Sequence, residues 1–183
     1  MRNLIKGITL VALAFVAFSC STDSEEKNLK SVTIIDIAKA TPELSTFVEA
    51  VELAGLTEEL DKPGNLTVFV PNNDAFDILA ANLGITDLSQ VDPVLLADVL
   101  KYHVLGARVS SSDLSDGQEA ATLQGQNITV TLSPNAFYPE YDTDLGDFEE
   151  TSVFINSARV FARDVKCSNG IIHVIDAVLL PSS

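Results

Sequence analysis

The segment NGIIHVIDAVLLP, residues 169–181, decides the fold of this chain. It opens with the turn signal Asn169-Gly170 and then continues almost wholly apolar. In a strand that starts after this turn, His173 has isoleucines on its own face and an isoleucine and a valine on the opposite face. Both faces are therefore expected to be buried, which predicts a strand in the centre of the structure.

His173 in such a strand is interpreted as a hydrogen-bonded core residue and not as a site. The second histidine, His103, follows Tyr102 where a helical pattern passes into a strand, and we interpret it as structural too. Two separate histidines do not supply the three or four ligands of a zinc site. A hydrolase using Cys167 and His173 is the catalytic alternative, but no group beside the thiol is expected to lower its pKa. The sequence thus predicts no enzyme and no cofactor.

The first residues have the pattern of an export signal. Residues 1–19 combine a basic start with a short apolar run, and Cys20 follows a small residue. This arrangement resembles a bacterial lipobox, although Ala17 stands where leucine is usual. We predict a signal peptide over 1–19, a lipidated Cys20 and a polar tether over 20–30. An ordinary signal peptide is the alternative. With Cys20 acylated, Cys167 has no partner and is expected to be buried.

The charge of the chain excludes one class of partner. Aspartate and glutamate number 26 against 11 lysines and arginines, for a net charge of −15. Because no basic cluster is present, binding of nucleic acid through phosphate neutralisation is not expected. An anionic surface instead suits solubility, cations or basic partners.

Helical periodicity dominates the first half of the chain and two-residue alternation dominates the second. This order predicts an α+β fold with a mainly antiparallel sheet and a helix-rich N-terminal half, not alternating βαβ units. The predicted helices cover 32–40, 41–56, 72–84 and 93–105, and the predicted strands cover 66–71, 127–132, 153–156, 158–167 and 170–175.

Three ordered segments carry a resemblance: TVFVPNNDAF (67–76), YHVL (102–105) and NGIIHVIDAVLLP (169–181). They resemble the signature segments and the tyrosine-histidine motif of the fasciclin domain. The resemblance implies one fasciclin domain over 31–183, folded as a β-sandwich-like wedge of two mainly antiparallel sheets with helices packed around it. It also implies a role in adhesion or extracellular binding without common enzymatic chemistry.

The resemblance also points to two candidate partner-binding pairs. Tyr102-His103 matches the tyrosine-histidine motif, and Asp164-Val165 falls where an Asp-Ile pair occurs, with valine in place of isoleucine. In animal fasciclin domains both motifs have been implicated in integrin binding. The alternative is that Tyr102, His103 and Val165 pack the fold and only Asp164 contacts solvent.

The segment FYPEYDTDLGDFEE, residues 137–150, has six carboxylates and no lysine or arginine. It is interpreted either as a solvated acidic loop or as a ligand-facing loop, in which Tyr138 and Tyr141 contact a polysaccharide or a small ligand. Its alternating carboxylates, Asp142, Asp144 and Asp147, give a weak calcium pattern that lacks ligands of an EF-hand.

The sequence therefore predicts an exported lipoprotein, held in the periplasm or at the cell surface by the lipid on Cys20. As a binding module it would mediate adhesion or matrix and surface interactions with an extracellular or envelope protein or polysaccharide. The alternative is an envelope protein that binds a polysaccharide or small ligand through loop 137–150, with or without calcium.

Overall fold

A computed structural model describes residues 32–133 and 151–182. The helices precede most of the strands, and none of those in the described ranges is long and apolar enough to cross a lipid bilayer. The α-helices are α1 (Ile34–Ala40), α2 (Ser45–Leu53), α3 (Thr57–Asp61), α4 (Asn73–Leu83) and α5 (Pro93–Tyr102). Short 3₁₀ helices occur at Pro42–Leu44, Leu88–Gln90 and Ser111–Asp113. The strands are β1 (Leu66–Pro71), β2 (Val104–Leu105), β3 (Glu119–Ala121), β4 (Asn127–Ser133), β5 (Ser152–Ile155), β6 (Ala158–Lys166) and β7 (Gly170–Ile175).

The helix boundaries follow the capping residues of the sequence. The side chain of Asn72 accepts a hydrogen bond from the Ala75 N–H at 2.9 Å and starts α4, which ends at Gly84 in the left-handed conformation. The carboxylate of Asp92 accepts from the Val94 N–H at 2.8 Å and starts α5. The predicted starts of these two helices are therefore confirmed.

The strands form one mixed sheet in the order β2-β1-β7-β6-β5-β4-β3. Each neighbouring pair is antiparallel except β1 and β7, which are parallel. An isolated bridge between Leu105, at the end of β2, and Thr122, just after β3, nearly closes this sheet on itself. The α+β order is thus confirmed, but the expected sandwich of two sheets is not, because the described strands are joined by one continuous series of pairings.

Two apolar clusters lie on the two faces of the sheet. In the helix-side cluster, the five α-helices pack against one face of β1 and β7. The cluster includes Ile172 and Val174 of β7. The sheet-side cluster lies inside the curved sheet and includes Phe69 and Ile175. All six residues of β7 are buried, and β7 lies between β1 and β6. The strand predicted around His173 is therefore central and covered on both faces.

Asn169 and Gly170 join the first helices to the central strand. The buried Asn169 side chain accepts from the Ile34 N–H at 3.0 Å and donates to the carbonyl of Leu60 at 2.7 Å. A Cβ atom on Gly170 would lie 2.2 Å from the carbonyl oxygen of Leu66 and 2.8 Å from Cδ1 of Ile34. Glycine is required here because the backbone of β1 comes so close.

Replacing this glycine is expected to destabilise the whole domain. Gly170→Ala should lower the free energy of unfolding by about 3 kcal/mol, because the new methyl group overlaps a backbone carbonyl that cannot move without breaking the β1–β7 register. Urea denaturation measures the change. The matched control is Gly64→Ala, whose Cβ would meet nothing closer than 3.9 Å and should change stability by less than about 1 kcal/mol. Equal effects of the two substitutions would contradict this account.

Candidate functional site

Tyr102, the first residue of the tyrosine-histidine motif, ends α5 with its ring in the sheet-side cluster. Its hydroxyl donates to the carbonyl of Asn127 at 2.9 Å and accepts from the side-chain amide of Asn156 at 3.1 Å. Asn156 has a positive φ of 53° in the turn between β5 and β6. The hydroxyl therefore fixes the ends of two strands from inside the domain.

His103, the second residue of the motif, is fully buried at the point where α5 passes into β2. Its Nδ1–H donates to the carbonyl of Val99 at 2.7 Å, and its Nε2 accepts from the Leu179 N–H at 2.9 Å. One donor and one acceptor define a neutral ring. Burial lowers the pKa of His103 to about 4, although the bond to Val99 favours the charged form.

His173 is also fully buried and neutral, but in the opposite tautomer. Its Nε2–H donates to the carbonyl of Val109 at 3.0 Å, while its Nδ1 accepts from the Asp164 N–H at 3.4 Å. The ring stacks on Phe69 with centroids 5.6 Å apart. Burial is the main reason that the pKa of His173 lies below its ordinary value. Both ring nitrogens hold backbone groups, as expected for a core histidine.

Asp164 lies in an irregular part of β6, where the register with β7 shifts, and has a positive φ of 60°. Its carboxylate accepts from the Ser111 N–H at 2.7 Å and also from the Ser111 hydroxyl. Partial burial alone would raise the pKa of Asp164, but these two hydrogen bonds, with smaller contributions from His173 and Arg163, hold it below its ordinary value. Asp164 thus fastens β6 to the 3₁₀ helix that begins at Ser111.

The candidate partner-binding pairs are therefore largely occupied by contacts within the fold. Tyr102 and His103 are buried, and Val165 is half-buried against the helix-side cluster. Asp164 is half-buried and keeps part of its surface in solvent. These positions fit the packing alternative, whereas the role of the four residues in partner binding stays a prediction.

Cys167 is buried at the end of β6. Its thiol lies 3.7 Å from the carbonyl of Val165, and burial raises the thiol pKa to about 11 despite a nearby Arg108. A thiol of this kind carries almost no thiolate at neutral pH, and the ring nitrogens of His173 both contact backbone groups. This geometry does not support a nucleophilic pair.

Several predicted site residues lie outside the described residues. They are the lipidation site Cys20 and, in loop 137–150, Tyr138, Tyr141, Asp142, Asp144 and Asp147. The lipid anchor and the polysaccharide, small-ligand and calcium interpretations of these residues stay predictions.

The structure also contains a cavity that was not predicted from the sequence, here called the apolar groove. It has a volume of about 540 Å³, within the range of ligand-binding clefts. Its walls come from α4, α5 and the last described residues, 178–182, which we call the C-terminal strap. The principal lining residues are Leu79, Leu83, Leu95, Leu96, Val178 and Leu180.

The C-terminal strap is held in place at two points. The Leu179 N–H is bound by His103, as described above. The side-chain amide of Gln126 donates to the Ser182 carbonyl at 2.8 Å and accepts from the Ser182 N–H at 2.9 Å. The tyrosine-histidine motif therefore contributes to the groove indirectly, by positioning one of its walls.

Surplus apolar residues on α4 and α5 are a sequence signal that could have indicated this groove. Leu95, Leu96 and Leu100 of α5 recur at helical spacing in the sequence, but only the latter two are buried. Leu95 is 61% exposed and Leu83, at the end of α4, is 57% exposed. Both helices carry more apolar residues than one buried face requires, which indicates a second apolar surface.

The chain belongs to the fasciclin family. The Fasciclin domain model matches residues 42–181. Protein sll1483 of Synechocystis sp. is 34% identical over 166 residues, which cover 91% of this chain and 79% of that protein. A domain pair of the insect cell adhesion molecule Fasciclin I superposes with a TM-score of 0.61 at 19% identity, over 82% of this chain and 51% of that chain, and shows the shared fold.

Two further relatives connect the chain to larger or surface proteins. Cell surface glycolipoprotein MPB83 of Mycobacterium bovis is 33% identical over 118 residues, 64% of this chain and 44% of that protein. Human periostin is 30% identical over 152 residues, 82% of this chain but only 16% of periostin. Fasciclin domains are thus found in adhesion and extracellular matrix proteins, and the chain spans between 16% and 51% of the length of periostin, MPB83 and the Fasciclin I domain pair.

The two neutral histidines predict a loss of stability in acid. Because the pKa of His103 falls from 6.5 to about 4 on folding, the unfolded state binds more protons between these values. The contribution of neutral His103 to the stability of the folded state is therefore complete above pH 6.5 and is lost as the pH falls towards 4. The free-energy cost of His103→Gln should shrink by on the order of 3 kcal/mol between pH 7 and pH 4.

Urea denaturation of both proteins at a series of pH values checks this result, and His173 remains in both as an internal control. Imidazole NMR signals provide an independent measurement in the wild-type chain, even if the variant folds poorly. A His103 ring that titrates near pH 6.5, or a cost of substitution that is independent of pH, would contradict the assigned tautomer and burial.

Cys167 is expected to be unreactive in the folded protein. Iodoacetamide at pH 8 should alkylate it only after urea is added, since the thiol is buried and its pKa is about 11. Mass-spectrometric peptide mapping separates Cys167 from Cys20. Alkylation of the native protein as fast as that of free cysteine would instead favour the Cys167–His173 hydrolase.

Proposed function

We propose that this chain is an exported, lipid-anchored module that binds other components of the envelope or the extracellular surface. The observation that carries the proposal is its membership of a family that occurs in adhesion and extracellular matrix proteins. Two features support it: Cys20 follows a signal-like segment, and the relative MPB83 is a cell surface glycolipoprotein. Several acyl chains on one cysteine would hold the domain stably at a membrane.

The proposed activity is recognition of a partner, without chemistry. Within the described residues, both side chains of the Cys167–His173 hydrolase alternative are engaged in the core: the thiol of Cys167 is buried and the ring of His173 is bound at both nitrogens. The tyrosine-histidine pair is buried too, so a partner would first meet other surfaces, among them the apolar groove and the exposed part of Asp164.

The anchor is tested on the mature protein. Mass spectrometry should find a chain that begins with acylated Cys20, and membrane fractionation should recover it with the envelope. Cys20→Ser should release the protein from the membrane fraction, whereas Cys167→Ala, which removes the other cysteine, should leave it anchored. A mature protein that is unacylated and begins at another residue would contradict the proposal of a lipid anchor.

Adhesion is tested separately on whole cells. Cells that produce the wild-type chain should adhere to envelope or matrix preparations more strongly than cells lacking it, and the excess should disappear when the purified chain is added as competitor. Equal adhesion of the two cell types would contradict the binding role, whatever the state of Cys20.

A further inference from the structure

We propose that the apolar groove binds a basic amphipathic helix of a partner protein, with the helix's apolar stripe in the groove and its lysines or arginines against the acidic rim. This inference rests on the proposed function, because it names the class of partner that such a binding module would take.

The rim of the groove exposes one large apolar side chain from each wall. Leu83 of α4, Leu95 of α5 and Leu180 of the C-terminal strap are 57%, 61% and 56% exposed. A small molecule enclosed in the groove would contact only the inward part of these rim leucines. A helix lying along the groove would cover them, which is the way amphipathic helices bind in apolar grooves.

The chain segment that forms two walls of the groove carries several carboxylates and almost no basic residue to balance them. From residue 72 to residue 102 the chain has five aspartates and a single basic residue, Lys101. Asp98 itself lines the groove. A second, more polar pocket of about 150 Å³ shares Phe76 and Leu88 with the groove, and three carboxylates are among its lining residues. The aspartates are Asp74, Asp77, Asp87, Asp92 and Asp98, all exposed, and the carboxylates of the polar pocket are those of Glu49, Asp77 and Asp87.

This distribution of charge selects among the occupants. A second copy of the chain, docked through the same surface, would bring the same carboxylates against each other, and each copy has a net charge of −15. A surface of anionic lipids would be repelled in the same way. A helix with lysine or arginine beside its apolar stripe would bury apolar surface against the leucines and would also be attracted by the aspartates.

The groove is also fixed before a partner arrives. His103 holds the strap at Leu179, and Gln126 holds it at Ser182 through two hydrogen bonds. The opposite walls are helices that contact the core through Phe76 and Leu96. Because little has to be ordered on binding, more of the interaction energy remains for affinity.

The test uses the full-length chain with Cys20→Ser, which prevents acylation without shortening the chain. The probe is a fluorescein-labelled 18-residue helix of leucine and lysine with leucines at helical spacing, and the control peptide has glutamate for each lysine. Fluorescence anisotropy should show saturable binding of the lysine peptide alone, and that binding should weaken as salt is raised.

Neutral substitutions separate the apolar from the charged part of the site. Leu83→Gln with Leu95→Gln should weaken binding about tenfold or more, and Asp77→Asn with Asp98→Asn about fivefold. The matched controls lie outside the groove: Phe161→Gln, at a side chain 51% exposed on β6, and Glu58→Gln with Glu59→Gln on α3 should leave binding unchanged. Circular dichroism confirms that each variant is folded.

Three results would overturn the inference. The first is equal binding of the lysine and glutamate peptides, or an affinity for the lysine peptide that the groove substitutions leave unchanged. The second is groove-dependent binding of the neutral dye Nile red without binding of the peptide, which would indicate a small apolar ligand. The third is a dimer in sedimentation that Leu83→Gln with Leu95→Gln dissociates, which would make the groove a self-contact. All three are measured on purified protein, so they are independent of the anchoring and adhesion experiments.

Discussion

The close approach of the β1 and β7 backbones is the constraint on which the rest of the structure depends. At Gly170, beside the backbone of Leu66, there is no room for a side chain, and from there the two strands pair in parallel with both faces buried. Asn169, one residue earlier, fixes the start of α1 and the end of α3 to the same point. Helices, sheet and both apolar clusters are thus positioned relative to one short stretch of backbone.

Much of this could be predicted from local sequence. The apolar pattern around His173 indicates a strand buried on both faces, and Asn72 and Asp92 mark helix starts, because each signal depends on neighbouring residues only. The near closure of the sheet could not be predicted, since it depends on a bridge between Leu105 and Thr122. The sequence marks Gly170 as part of a turn, but the reason that glycine is required there is a close contact with a strand distant in sequence.

The candidate sites, too, are only partly predictable from local sequence. The tyrosine-histidine motif is visible in the sequence, yet only the structure shows that its side chains are hydrogen-bonded inside the domain and that His103 holds the C-terminal strap. The apolar groove needs helices and a strap that the chain brings together from separate regions. Exposed leucines such as Leu83 and Leu95 look like core residues until their surroundings are known.

The position of β7 in the chain has a consequence for the order of folding. Among the described strands β7 comes last in chain order, and its parallel partner β1 lies before most of the sheet. Until residues 170–175 are available, β1 and β6 lack their common neighbour, and the helix-side cluster lacks one wall. Such non-local pairing slows folding and leaves strand edges unpaired for longer. A nascent chain would therefore depend on residues 170–175 to leave an aggregation-prone state.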